Sequence, residues 1–230
     1  MAQVTKKSKE WTSIDRENRY EAKEALGFVK KFATAKFDER VDVSIRLGVD
    51  PRKGDQMLRS SVVLPQGTGQ TLKVLVFCTA DKEKEALDAG ADYAGGQELA
   101  DKVLKENWYD FDRVVATPDM MAVVGKIGRQ LGPRGLMPNP KVGTVTTNVS
   151  ETVAQIKKGQ VQFKTDKGAN VQCTIGLSSF TEDQLFENLQ AIYDTLLKLK
   201  PASAKGQYVK NISVSSTMGP GVKVDLNQFK

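Results

Sequence analysis

Histidine, the side chain most often used for acid–base catalysis, does not occur in these 230 residues. Its absence removes every Ser-His-Asp and Cys-His arrangement. Cysteine occurs twice, as Cys78 and Cys173, each inside an apolar run (VLVFC, NVQCTI) that reads as a buried core thiol. A disulfide is not expected in a reducing compartment. Two cysteines without histidine do not make a structural zinc site, and no metal or other cofactor is expected. No paired-carboxylate motif stands out, and neither G-x-x-x-x-G-K-[ST] nor G-x-G-x-x-G is present. Gly67-x-Gly69 precedes a strand, where a dinucleotide-binding turn would follow one. An enzyme is therefore disfavoured, and binding chemistry remains. Lys36-Phe37, Arg52-Lys53 in GVDPRKGD, and SSTMGPG (215–221) offer cations, hydroxyls and glycines that let main chain approach a ligand. Such groups hold phosphate and ribose oxygens. A plainer reading stands beside each: lysines and arginines near turns are usually just solvated. SSTMGPG would equally make a tight hairpin with Met218 filling the core edge, and the residues alone leave both readings open.

The formal net charge of +6, with pI about 9.2, suggests an anionic partner. Its distribution is more telling than its size. Residues 67–159 hold twelve Lys/Arg and twelve Asp/Glu, so the outer segments carry the whole excess. Hydrophobic residues at 40% and charged residues at 27% are ordinary for a globular chain. No run approaches the roughly 20 apolar residues of a membrane helix. MAQVTKKSKEW has no apolar h-region, so no secretory signal is expected, and the cytoplasm is the default.

The elements that must position these groups follow from periodicity. EAKEALGFVKKFATAKF (21–37) has helical spacing, and VDVSIRL (41–47) alternates as a half-buried strand does. SSVVLP (60–65) is a second short strand. LKVLVF (72–77) is continuous and apolar, as in a strand covered on both faces. Two helical segments follow (81–90 and 95–108), then RVVA (113–116). Thr117-Pro118 supplies a cap and first-turn proline for the helix to Leu131. QLGPRGLMPNPKVGT (130–144) is too interrupted for a helix, and SETVAQIKK (150–158) is a helix capped by Ser150. QVQFKT and NVQCTI flank DKGA as a hairpin. TEDQLFENLQAIYDTLLKLK opens on a capping box, Thr181 to Gln184, and YVKNISVSS and VKVDL close the chain as strands. Strands alternating with helices in the middle imply an α/β layer domain. The reading is a discontinuous two-layer α+β domain (1–66 and 160–230), interrupted by an inserted three-layer, Rossmann-like α/β domain (67–159).

The 130–144 loop closely resembles the signature of the ribosomal protein L-one family, the bacterial-type stalk proteins of the large ribosomal subunit. KFATAKFDE, LGVDPRKGDQ, VLPQGTG, the loop itself and SSTMGPG follow in family order over nearly the whole chain. The resemblance implies an α+β RNA-binding domain with an inserted α/β domain joined by two hinges, for which Gly67, Gly69 and Gly159 stand. It also implies three RNA partners. These are a three-way junction of large-subunit rRNA at the mobile stalk, the deacylated tRNA released from the exit site, and the leader of the protein's own operon mRNA, whose translation such proteins repress. The chain is expected as a monomer when free, on the ribosome in the cytoplasm, with no membrane partner. Lys36, Phe37, Arg52, Lys53, Thr217, Met218, Gly219 and Pro220 fall on the family's RNA-contacting positions. Arg46, Ser215 and Gly221, beside them, complete the set. Arg134 and Lys141 are either solvated residues on a rigid corner or a secondary contact to stalk RNA or tRNA. Ser60-Ser61 depart from the family's Arg-Gly. DKGANVQ is shorter than its usual hairpin and lacks its histidine, so Asp166 and Lys167 are left off the contact set. The alternative is a small-molecule enzyme using the inserted domain, for which fold is a poor warrant.

Overall fold

A computed structural model describes Trp11, Ile14, Asp15 and residues 17–229. Lys6, Lys7 and Lys9, near the start of the sequence, lie outside the described residues. The chain gathers into two compact units, one formed by residues up to Gly69 together with those from Phe163 onward, the other by Gln70–Gln162.

In the first unit, β1 (Arg19–Tyr20), β2 (Arg40–Leu47), β8 (Asn170–Leu177), β9 (Val209–Ser216) and β10 (Val222–Val224) form one sheet in the order β1-β10-β9-β2-β8. β2 is its centre, antiparallel to both β8 and β9. The alternation read in VDVSIRL is real: Val41, Val43, Ile45 and Leu47 are buried, and Asp42, Ser44 and Arg46 are not. Helix α1 (Ala22–Lys31) buries Ala22, Ala25, Leu26 and Val29. Helix α6 (Glu182–Lys198) buries Leu185, Leu189, Ile192 and Leu196, and its predicted capping box is present. These apolar stripes pack on the apolar face of the sheet. The opposite face carries Asp42, Ser44 and Arg46 in register with Thr174, Gln172 and Asn170 on β8 and with Ser215, Ser213 and Asn211 on β9.

Two elements differ from expectation. The first helix stops at Lys31, not Phe37, because the Ala35 N–H is taken by the Glu39 carboxylate at 2.8 Å, and 34–38 form an irregular loop. The 160–175 segment is a hairpin only at its turn. There, Thr165 and Val171 form a single bridge. Beyond it, β7 (Gln160–Lys164) pairs with β3 (Arg59–Val63), and β8 joins β2. Thr165 causes the divergence, since its N–H donates to Leu58 O (2.9 Å) and its hydroxyl accepts from Leu58 N–H (2.8 Å).

In the second unit, β5 (Tyr93–Gly95), β4 (Val74–Phe77) and β6 (Arg113–Ala116) form a parallel sheet with β4 in the middle. Leu75, Phe77 and Val114 pack against α3 (Gln97–Glu106) and α4 (Met121–Leu131) through Val103, Val124 and Ile127. Val74, Val76 and Cys78 pack against α2 (Ala80–Asp88) and α5 (Val149–Lys157) through Ala86, Val149 and Val153. Side chains alternating to opposite, helix-covered faces explain the unbroken apolar run of β4. Two caps differ from expectation. Thr117 has N-cap geometry, yet its buried hydroxyl has no partner among the described residues. Asn148, not Ser150, occupies the cap of α5, and Ser150 Oγ donates to its side-chain oxygen at 3.2 Å. Among the described residues, no helix is long and apolar enough to cross a membrane.

Candidate nucleic-acid interface

The net-basic first unit presents its candidate groups at two ends of one strand. Lys36-Phe37 precede β2, and SSTMGPG follows its antiparallel partner β9, so Val41 pairs with Ser216 at that end. Arg52-Lys53 follow the other end of β2, where Leu47 pairs with Val209. The three loops do not project together. An eight-residue strand separates them, a span of roughly 26 Å at about 3.3 Å per residue.

At the first end, Phe37 and Met218 are 56% and 54% exposed. This excludes Met218 as a core filler and leaves two large apolar tips in solvent, available for stacking on bases. Thr217 clasps the start of β2: its N–H donates to Arg40 O, and its hydroxyl accepts from Arg40 N–H, each at 3.0 Å. Asp38 accepts from the Ser178 and Ser179 hydroxyls at 2.7 Å, and the Ser178 hydroxyl leads in holding its carboxyl below the usual range. Ser215 is half-buried, Gly221 exposed and Pro220 buried at the base of the loop. Gly219 is close to protein: a Cβ there would stand 2.4 Å from Ser216 Oγ.

At the other end, Arg46, Arg52, Lys167 and Lys210 line one open concavity. Asp50 shapes the loop by accepting the Arg52 N–H at 3.1 Å. The exposed Lys53 follows on the same turn, its N–H donating to Asp50 O. Asp166 accepts the Gly168 and Asn170 N–H groups, each at 2.8 Å, and the Asn170 N–H leads in lowering its carboxyl's pKa. The bent backbone thereby presents Lys167 to the same concavity. The sequence reading weighed Lys167 but left it off the contact set, and it did not single out Lys210. Lys210 sits at the register shift between the Arg46–Asn211 and Leu47–Val209 pairs, which places it at this end of the sheet.

Between the two ends runs the helix-free face of short hydroxyl and amide side chains. Its carboxylate at Asp42 accepts the Thr174 hydroxyl at 2.7 Å. Hydroxyl and amide groups of this kind can hydrogen-bond ribose hydroxyls and base edges, and cations such as those at its ends can pair with phosphates.

In the second unit, the 130–144 loop is ordered by its own contacts. The Arg134 guanidinium lies 3.6 Å from the Tyr109 ring centroid. Leu136 N–H donates to Leu131 O, and Asn139 accepts the Lys141 N–H at 2.9 Å. Val145 then bridges to Ala116 alongside β6. These contacts are those of a rigid connector, with Arg134 and Lys141 exposed. The hinge candidates Gly67, Gly69 and Gly159 have φ of 68°, 73° and 103°.

Residues 29–220, which contain strands β2 to β9, the whole of the inserted unit and all but the last residue of SSTMGPG, match the model of the ribosomal protein L1p/L10e family. With most of its length inside that match, the chain belongs to the ribosomal protein L1p/L10e family.

Proposed function

We propose that the first unit is the rRNA-binding domain, gripping the three-way junction of the large-subunit stalk with its helix-free sheet face and the loops at both ends. Membership of the family makes the chain a ribosomal protein of the large subunit, from a structural family and not an enzyme family. One observation carries the finer reading. A polar sheet face joins exposed Phe37 and Met218 at one end to four cations at the other, in the unit that holds the whole net charge. RNA of this kind is recognised by shape, 2′-hydroxyls and phosphates more than by base edges. Lys36, Arg46, Arg52 and Lys53 are proposed to take phosphates, and Ser215, Thr217, Met218 and the main chain from Gly219 to Gly221 to contact ribose and base. Residues 67–159 are proposed as the inserted domain that moves on Gly67, Gly69 and Gly159 and assists release of deacylated tRNA from the exit site. Arg134 and Lys141 stand as its secondary RNA contact. Binding of a similar fold in the protein's own operon mRNA is proposed to repress its translation. The test is titration with the stalk junction RNA against a duplex of equal length, together with sedimentation of the chain with large subunits. Specific binding and co-sedimentation are expected. A chain that stays in the soluble fraction and binds both RNAs alike would overturn the reading.

A further inference from the structure

The least expected charge at this interface is a buried negative one. Glu39 is 1% exposed, although it sits between the exposed Phe37-Asp38 tip and the exposed Arg40. A carboxylate is held in such a place only by donors that replace water. Its Oε1 accepts the Ala35 N–H at 2.8 Å, and its Oε2 accepts the Met218 N–H at 2.9 Å. These donors engage different oxygens of the carboxylate and lie on segments far apart in sequence. One is in the loop that carries Lys36-Phe37, the other in the loop that carries Thr217-Met218. The main chain of Glu39 is fixed as well, since its carbonyl accepts the Ser178 N–H at 2.7 Å. Hydrogen bonds from backbone N–H groups to an ionised carboxylate are roughly twice as strong as neutral ones. One side chain therefore sets the spacing between the two exposed apolar tips.

We propose that Glu39 is a positioning residue for RNA recognition: a buried carboxylate clamp that holds the Phe37 and Met218 tips at a fixed separation without itself touching RNA. The inference rests on the reading of this end as an RNA contact and deepens it. Loops already ordered in the free protein lose less conformational freedom on binding, and that difference appears as affinity.

Glu39→Gln separates this role from bulk stability. It keeps the volume of the side chain but replaces one acceptor oxygen with an NH2 group, which faces an N–H donor, so one loop loses its anchor. In the full chain, titrated with the stalk junction RNA, the dissociation constant should rise about tenfold, equivalent to ~1.4 kcal/mol. With Met218→Ala already in place, the same change should cost less than about threefold, because the tip it positions is gone. With Arg52→Ala in place, at the far end of β2, the cost should remain about tenfold. A merely structural role would lower affinity by the same factor in both backgrounds, and equal factors would overturn the proposal. Unchanged affinity of Glu39→Gln would overturn it too. Amide hydrogen exchange of the wild-type chain gives a check that needs no variant to fold. The Ala35 and Met218 N–H groups should exchange at least tenfold more slowly than free loop amides, and exchange at the free rate would remove the clamp. Failure of the wild-type chain to bind the junction RNA would instead sink the functional reading itself.

Discussion

Gly219→Ala isolates the closest approach in the SSTMGPG loop. A Cβ built on Gly219 lies 2.4 Å from Ser216 Oγ, about 1 Å inside ordinary contact, while Ser216 Cβ at 3.5 Å and Phe32 O at 3.8 Å are at normal distance. Gly219 is not among the positive-φ glycines, so alanine brings no backbone strain of its own. The whole penalty comes from one hydroxyl, which is buried and without a hydrogen-bond partner among the described residues. Overpacking of this kind costs about 1–3 kcal/mol, and we expect that loss for Gly219→Ala by urea unfolding. Ser216→Ala alone should be close to neutral, because it removes a hydroxyl with no partner to leave behind. The double variant should therefore return to within about 0.5 kcal/mol of Ser216→Ala, a coupling typical of groups in contact. RNA titration adds the functional arm. If the glycine serves only the loop's own packing, the double variant binds the junction RNA within about threefold of wild type. If stability recovers and affinity does not, RNA backbone itself approaches Gly219. A Gly219→Ala loss that persists in the Ser216→Ala background would refute the reasoning from this contact.

Three further outcomes follow from the same geometry. If Lys36, Arg46, Arg52, Lys53 and a neighbour such as Lys167 or Lys210 neutralise about five phosphates, log K should fall against log salt with a slope of roughly −4. Arg52→Ala should make that slope shallower by about one, whereas a flat salt dependence would exclude the phosphate contacts. Asn188 is fully buried, donates to Gly67 O (2.9 Å) and Ile175 O (2.7 Å) and accepts from Gln66 N–H (3.0 Å). Asn188→Ala orphans all three backbone groups, and we expect a loss of about 2–4 kcal/mol in urea unfolding, with a loss under about 0.5 kcal/mol counting against it. Excision of residues 67–159 with a short Gly/Ser link keeps all of β7 beside β3, and the excised chain should remain folded by circular dichroism. It should bind the junction RNA within about tenfold of the intact chain, and a folded chain that no longer binds would show that the primary site needs the inserted unit.

Much of the fold was legible where a single periodicity decided the matter. β2 alternates, β4 is apolar throughout, and Thr181 with Gln184 spells its cap. The sequence was misleading where a distant partner decides. Residues 32–37 keep helical spacing, but the Ala35 N–H goes to Glu39. QVQFKT and NVQCTI look like hairpin arms, but Thr165 is bound to Leu58. β5 and β1 were not foreseen, being three and two residues long with no apolar run. At the candidate site, the cations were legible and their division was not, although the signal was present. A strand between Lys36 and Arg52 must carry them to opposite ends, whatever it pairs with.

The acids at this interface explain why its cations remain available. A basic surface that also holds Asp38, Glu39, Asp50 and Asp166 would be expected to neutralise itself through ion pairs. Instead, these carboxylates accept from hydroxyls or backbone N–H groups: Asp38 from Ser178 and Ser179, Glu39 from Ala35 and Met218, Asp50 from Arg52 N–H, and Asp166 from Gly168 and Asn170. These bonds lower the pKa of Asp38 and Asp166, so both stay ionised through neutral pH. The ion pairs found among the described residues, Lys23–Asp183, Lys73–Asp110 and Lys157–Asp92, involve none of the interface cations. Asp38, Asp50 and Asp166 thus fix their loops through these bonds, and Lys36, Arg52, Lys53 and Lys167 beside them are exposed. Negative charge in these loops is compatible with the proposed RNA binding because these carboxylates hold hydroxyls and backbone N–H groups of the protein itself.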